Sequence, residues 1–467
     1  MTTLLLSFLG TMLLFVAVGL LSMRRSRRTS HDYLTASRSV PPSLAGLSAV
    51  ATNNSGYMFV GMIGYTYSVG LASVWLMVGW IAGDLMASLA VHRKVRVVAQ
   101  ERHAHSVSGL IAHWYGDERL ALRRVIGVLT LLFLTVYAAA QLGAGSKALE
   151  ATLGWDRTVG AVIAAAVILF YSFAGGLRAS IWTDALQSAV MITSMGMLLV
   201  VGVASLGGME AVTGKLSAVS QGYMLWFPES LEHNGWKMAG FVIGWLFGGI
   251  GAIGQPHILI RYMALDDPQS LTRMRWYYYG WFTLFYGATI GVGLIARIAI
   301  PESEGFDPET ALLVLSGQTL TPLFVGTMLA GLFAATISTA DSLVLSCSAS
   351  LTRDFTRQPL DAYKTAKLGT LFVTLAALAI ALANSKSIFA LVLDAWGVFG
   401  STLAPLIFLQ AVSGRIGERQ ALLLLGVGAA TFYLWSLYGA SNLYAIAPAW
   451  AAVMGTYALM RGSVRNR

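Results

Sequence analysis

The sequence predicts an all-α polytopic membrane protein of about 13 transmembrane helices. Composition points that way first. Of 467 residues, 56% are hydrophobic and only 11% charged, with a mean hydropathy of +0.67. Soluble domains carry about 25% charged residues. Patterning points the same way. Apolar stretches recur at 3–23, 43–68, 70–91, 125–146, 158–176, 180–206, 238–260, 276–299, 319–351, 364–383, 387–411, 420–437 and 443–460. Each is long enough for a bilayer core, which takes about 20 apolar residues in a helix.

The distribution of charge orients these stretches. With the N-terminus outside and one crossing per stretch, 25 of the 31 Lys and Arg residues fall inside. The inside set includes the Arg24–Arg28 cluster, the loop up to Arg124, and Arg178, Arg261, Arg273, Arg275, Arg353, Arg357 and Arg467. The six outside are Lys147, Arg157, Lys215, Lys237, Arg297 and Lys386. Cytoplasmic loops carry such an excess. The net charge of +9 therefore reads as topology rather than as a nucleic-acid footprint. The expected setting is a bacterial-type inner membrane, with a cytoplasmic C-terminus. The cluster RRSRR follows the first apolar stretch instead of preceding it, which marks a retained helix and not a cleaved leader.

The connections carry little chemistry of their own. His103, His105 and His113 share the longest inside loop, without carboxylate or cysteine partners at metal-ligand spacing. A loop facing lipid headgroups is the better reading. Cys347 is the single cysteine and reads as a small packing residue. The outside loops 207–237 and 301–318 have room for short lid-like helices.

Two stretches break their own helical pattern. The second contains AVATNNSGYMFVGMIG (49–64) and the seventh GWLFGGIGAIGQPH (244–257). Irregular backbone at membrane depth is tolerated where it lines a protein cavity. A pair of Gly-interrupted spans at matching places in two halves points to a transporter site. The expected organisation is 1–35 as an N-terminal helix and basic loop, 43–206 and 238–411 as five-helix halves of opposite direction, and 418–467 as two further helices.

Four acids fall within spans: Asp84, Asp184, Asp341 and Asp394. Intramembrane carboxylates are costly and mark function. Asp341 stands in FAATISTADSLVLSCSASLTRDF (333–355). Ser338, Asp341 and Ser342 share one helical face, with Thr339 beside them. Hydroxyls, carboxylates and carbonyls suit a hard cation. Ser346, Ser348 and Ser350 are adequately explained as hydroxyls bonded back to their own helix.

These motifs resemble the sodium/solute symporter family. SGYMFVGMIGYTYSVGL (55–71), GGLRASIWTDALQ (175–187) and 333–355 carry the likeness, and GQPHILIRYMA (254–264) is most similar to the sodium/proline branch. The resemblance implies a LeuT-type fold of five plus five inverted repeats working by alternating access. It implies a main Na⁺ site from the carbonyls of Ala51, Asn54 and Ala335 and the hydroxyls of Ser338 and Thr339. It links Asp184, with Asp341 and Ser342, to a second Na⁺ or a proton. It suggests a solute site near Asn53, Tyr137, Gln141, Gly248, Ala252 and Gln255. At Gly248 and Ala252 the proline branch has a tryptophan and a tyrosine, and at Asn53 an aspartate. Loss of two rings implies a roomier pocket and a solute bulkier than proline, a larger amino acid or an organic acid.

The expected function is Na⁺-coupled symport of a small polar organic solute, by a monomer or loose oligomer in the lipid bilayer. A solute-sensing membrane domain and an H⁺-coupled or dual-ion symporter are the alternatives. No kinase segment follows the last span, which favours transport over sensing. No nucleophile–base constellation suggests an enzyme.

Overall fold

The computed structural model describes residues 2–24, 29–231, 234–355, 363–383, 387–440 and 442–465. Arg25, Arg27, Arg28, Arg357, Lys386 and Arg467, used above to orient the chain, lie outside the described residues. Among the described residues no strand forms; one isolated parallel bridge pairs Val40 with Leu265.

Helix α1 spans Thr2–Met23. The second apolar stretch is broken, into α2 (Pro42–Asn53), an irregular link, a wide π-turn at Met58–Met62 and α3 (Ile63–Val69). Pro42 opens α2 at a position where its missing N–H costs nothing. Gly70, at φ 70°, turns the chain into α4 (Val74–Glu101). Then come α5 (Leu120–Leu153) and α6 (Arg157–Ser205). Asp156 caps α6 by accepting the Thr158 N–H at 2.8 Å.

α6 is two spans joined at Gly176, whose φ 57° and ψ −146° are not helical. A Cβ there would also run into the Tyr33 carbonyl, so both backbone shape and space require glycine. The seventh stretch breaks as expected, into α7 (Gly235–Ile250), a 3₁₀ turn at Gly251–Gly254, extended Gln255, and α8 (Pro256–Ala264). The remaining long helices are α9 (Leu271–Ala299), α10 (Pro322–Arg353), α11 (Tyr363–Ala383), α12 (Ile388–Ser401), α13 (Leu403–Val412), α14 (Glu418–Tyr438) and α15 (Ile446–Arg465). Short helices lie between them at Ser30–Thr35, Val107–Ala112, Met209–Ser217 and Ala311–Thr319, the last two in the outside loops that had room for them.

Ten helical stretches among the described residues are long and apolar enough to cross a membrane. The difference from 13 has visible causes. The broken second stretch has no single long helix. The fifth contributes only Arg157–Phe170. The last, in α15, mixes alanines with aromatic residues and Arg461.

α10 is the most enclosed of these stretches, with 83% of its apolar window buried. It packs on α5, α6 and α1, while α2 packs on α9, α6, α8 and α10. Both broken spans thus reach the interior beside the most buried helix. Exposed aromatics mark the ends of the bundle: Trp276 and Tyr277 at the start of α9, and Trp236 and Tyr438 at the termini of α7 and α14. Amphipathic rings of this kind settle at membrane–water interfaces.

Candidate cation and solute site

The break after α2 frees backbone oxygens. The Asn54 N–H still closes on the Val50 carbonyl at 2.9 Å. The following amides turn elsewhere. Gly56 N–H donates to Gln141 Oε1 (3.0 Å) and Tyr57 N–H to Ser55 Oγ (3.2 Å). Met58 N–H closes on Ser55 O (2.9 Å). The carbonyls of Thr52, Asn53 and Asn54 therefore lose their usual i+4 donors. These oxygens sit at the negative end of a helix, buried in the protein.

α10 faces that end. Thr339 Oγ1 donates to Thr52 O at 3.0 Å. Ser338 Oγ lies 3.3 Å from Ala335 O, in its own helix. Ala51, Asn54, Ala335, Ser338 and Thr339 are all buried. Carbonyl and hydroxyl oxygens from two helices thus meet here, the donor set a hard cation takes. Thr52 is the contact residue that sequence reasoning missed. Its position between Ala51 and Asn53 was the only signal.

The second group is also brought together, with an addition. Ser48 Oγ donates to Asp184 Oδ2 at 2.6 Å. Ser342 Oγ donates to Ser338 O at 2.6 Å and lies 3.2 Å from Thr52 Oγ1. Between Asp184 and Ser342 stands the Arg261 guanidinium. Its Nη2 is 3.2 Å from Asp184 Oδ2, 3.0 Å from Ser180 Oγ and in contact with Ser342 Oγ. Its Nε is 3.2 Å from Ser48 Oγ, and Nη1 donates to His257 O at 2.6 Å. Both charged side chains are almost fully enclosed, at 0% and 1% exposure. Arg261, placed above among the inside charges, is no exposed loop residue. It is a helix residue whose charge is spent on Asp184. Asp341 is buried one residue before Ser342.

The solute side departs further from expectation. A cavity of about 10 Å³ is lined by Asn53, Asn54, Tyr57, Met58, Trp80, Tyr137, Phe282, Tyr286, Val392 and Trp396. Asn53 and Tyr137 line it; Gln141, Gly248, Ala252 and Gln255 do not. Gln141 holds the Gly56 amide, and Gln255 Nε2 donates to Trp396 O at 3.1 Å. The roomier pocket expected at Gly248 is corrected by the structure. A Cβ on Gly248 would meet the Trp80 ring at 3.2 Å and the Tyr444 ring at 3.4 Å. Trp396 Nε1 donates to Gly248 O at 2.9 Å. Rings from other helices occupy the space a larger side chain would take. Trp80 has no sequence motif that would have flagged it.

Asn53 is held from behind. Its Nδ2 donates to Tyr278 OH (2.5 Å), which donates to Asp84 Oδ2 (2.7 Å). Asp84 is thus an anchor behind the pocket, and Asp394 is exposed. Tyr137 OH lies 3.4 Å from Ser55 Oγ, and its ring meets His257 edge-on at 5.5 Å.

A larger cavity, about 620 Å³, is lined by Gly61, Gly64, Tyr65, Lys147, Arg157, Asp307, Glu309 and Phe389 among others. Lys147 is paired there with Asp307 (2.5 Å) and Glu309 (2.9 Å). Tyr65, Phe389 and Tyr57 stack in sequence, with centroids 5.5 and 5.3 Å apart. Tyr57 lines the small pocket, so the stack runs from the wall of one cavity to the wall of the other.

At the other end of α10, Asp354 accepts hydrogen bonds from Ser106 (2.7 Å), Ser350 (2.6 Å) and Ser108. Burial pushes its carboxyl up to about 6, against those hydrogen bonds. Nearby, burial and then the Arg353 charge push His105 down to about 4.

Comparison with known proteins places this geometry in context. The model of the sodium:solute symporter family matches residues 33–428. The high-affinity proline transporter PutP of Bacillus subtilis is 30% identical over 441 residues, covering 91% of each chain. The sodium/proline symporter of Escherichia coli is 27% identical over 444 residues, covering 91% of this chain and 86% of its own. Among solved structures, a Na⁺-coupled sialic acid symporter in a substrate-bound outward-open state superposes with a TM-score of 0.82 at 19% identity, covering 97% of this chain and 96% of its own. Mhp1, a nucleobase–cation symporter in a closed conformation, gives 0.63 at 16% identity, covering 93% and 95%. The fold is the LeuT type that the sequence resemblance implied.

Proposed function

The chain belongs to the sodium:solute symporter family, and on that premise we propose that it carries a small zwitterionic amino acid inward with Na⁺. The observation behind this reading is the meeting of α10 with the open end of α2. Thr339 reaches Thr52 O where the helix ladder of α2 stops. Sodium would be held by the carbonyls of Ala51, Asn54 and Ala335 with the hydroxyls of Ser338 and Thr339. An ion there would tie the two helices together, which is how its binding would favour one state of the cycle over another.

The solute would bind against Asn53, Tyr137 and the surrounding rings. Among the described residues no Lys or Arg lines that cavity, which speaks for a zwitterion over an organic acid. The filled space beside Gly248 removes the ground for a solute bulkier than proline. Two proline transporters are among the relatives, so proline is the first probe. With the N-terminus outside, the 620 Å³ cavity would open outward, and the Tyr65–Phe389–Tyr57 stack would be its floor. One charge moved down 100 mV gains about 2.3 kcal/mol, enough for roughly fifty-fold accumulation.

The test is uptake of radiolabelled proline and a panel of small amino acids into proteoliposomes, with and without an inward Na⁺ gradient. Gradient-dependent uptake of at least one is expected. Equal uptake in both conditions across the panel would overturn the reading.

A further inference from the structure

We propose that Asp84, acting through Tyr278, fixes the Asn53 amide with its oxygen toward the solute, and that this oxygen selects a solute whose ammonium group carries an N–H. The inference rests on the symport reading and names the group the solute must bear. Asp84 is the positioning residue, and Asn53 is the residue it positions.

Three helices meet in this relay. Asn53 ends α2, Tyr278 stands on α9 and Asp84 on α4. Tyr278 OH donates to Asp84 Oδ2 at 2.7 Å and accepts from Asn53 Nδ2 at 2.5 Å. The order of donors is forced. An ionised carboxylate only accepts, so the hydroxyl proton points at Asp84. Lone pairs alone are left for Asn53, which must offer its N–H. The amide therefore turns Oδ1 away from Tyr278, at the wall of the cavity that Asn53 lines. Among the described residues that oxygen takes no hydrogen bond. The rings of Tyr279, Phe282 and Tyr262 hold Tyr278 in place, with centroids 4.8, 5.7 and 6.5 Å from its own.

The neighbouring wall repeats this polarity. Asn54 Nδ2 donates to Val50 O and Trp396 Nε1 to Gly248 O, each at 2.9 Å. Both residues turn their N–H groups to backbone carbonyls. Charge agrees with polarity. Asp84 is 1% exposed, and among the described residues it belongs to no ion pair. A buried carboxylate without a cation is costly. An ammonium on Asn53 Oδ1 would stand one hydrogen bond beyond the relay and offset that charge. The carboxylate of the solute would meet an acceptor and a like charge there. The zwitterion is thus oriented with its nitrogen against Asn53. A fully methylated nitrogen would leave Oδ1 buried without a donor.

The probe is the panel amino acid that the wild-type chain takes up fastest under a Na⁺ gradient, beside its N-methylated and fully N-methylated forms. The fully methylated form is expected to compete at least about ten-fold more weakly; competition as strong as that of the parent would overturn the proposal. Asp84→Asn removes the charge and lets the hydroxyl turn, so KM is expected to rise about ten-fold with kcat within a few-fold. Asp84→Asn with Asn53→Asp moves the charge to the cavity wall. Tyr278 then donates to the new carboxylate, whose other oxygen faces the solute, and KM is expected to return to within a few-fold of wild type. A merely structural loss on α4 would not be repaired by a change on α2. An unchanged KM in folded Asp84→Asn would overturn the proposal, as would a KM still high in the folded double variant. If neither variant folds, the methylation series decides. Wild-type protein that takes up no amino acid under the gradient would instead sink the symport reading itself.

Discussion

Thr339→Val is the sharpest probe of the main site. Valine keeps the shape of threonine but replaces its hydroxyl with a methyl. Thr339 is fully buried, and its Oγ1 donates to Thr52 O at 3.0 Å. Thr52 O has no replacement, because the Gly56 amide that would serve it is bound to Gln141 Oε1. A buried acceptor left without a donor costs about 1–3 kcal/mol. The ion-free protein should therefore lose about that much stability. A hydroxyl facing a charge contributes about 1.5–3 kcal/mol, so sodium affinity should fall by roughly ten- to a hundred-fold. The assay is sodium titration of thermal stability and of the fluorescence of Trp80 and Trp396, which line the adjoining pocket. Thr339→Ser keeps the oxygen and should restore affinity to within a few-fold. A folded Thr339→Val protein with sodium affinity unchanged would refute the assignment of Thr339 as a ligand.

Other consequences follow from single features. Gly176→Ala places a side chain at φ 57°, ψ −146° and against the Tyr33 carbonyl; strain of about 1–3 kcal/mol plus the clash should lower the melting temperature, and an unchanged melting curve would contradict the described turn. Phe389→Ala removes the middle ring of the stack between the cavities. A cysteine placed at Val392, with buried Cys347 changed to alanine, should then react several-fold faster with an impermeant thiol reagent; equal rates would mean the stack is not the barrier. Asp354 and His105 make opposing pH slopes. The raised carboxyl of Asp354 gives stability that is present below about 4 and lost as pH rises through about 6. The lowered imidazole of His105 gives stability that is present above about 6.5 and lost as pH falls through about 4. Asp354→Asn should leave stability rising with pH across that window, and His105→Asn should leave it falling. Identical slopes in both variants would refute these shifts.

Much of the site was legible because its signals are local. The glycines and small polar residues of 49–64 broke one span, and GIGAIGQP at 249–256 broke another, each within a few residues of the expected place. The polar face of 338–342 was visible from helical spacing alone. Asp184 and Ser342, 158 residues apart in the sequence and grouped by the family motifs, both meet the Arg261 guanidinium. What stayed hidden had no local signal. Arg261 sits in an apolar turn, IRYM, that resembles a basic helix end meeting the cytoplasm. Trp80 resembles any interfacial aromatic residue. Missing rings at Gly248 and Ala252 suggested empty space, yet close packing of α4 against α7 filled it: a Cβ at Gly249 would strike the Trp80 backbone.

The sequence by itself determined that this chain spans a membrane, that two of its spans are broken, and that one buried helix carries hydroxyls and a carboxylate on one face. Those properties follow from hydropathy, from glycine and proline, and from helical period, which act over a few residues at a time. Only the tertiary structure decided which charge meets Asp184 and how much room the solute has. Both depend on side chains from helices far apart in the chain meeting in one small volume. The cost of burying an unpaired charge, or of leaving a void, is settled there by whichever group reaches it: Arg261 in one case, Trp80 in the other.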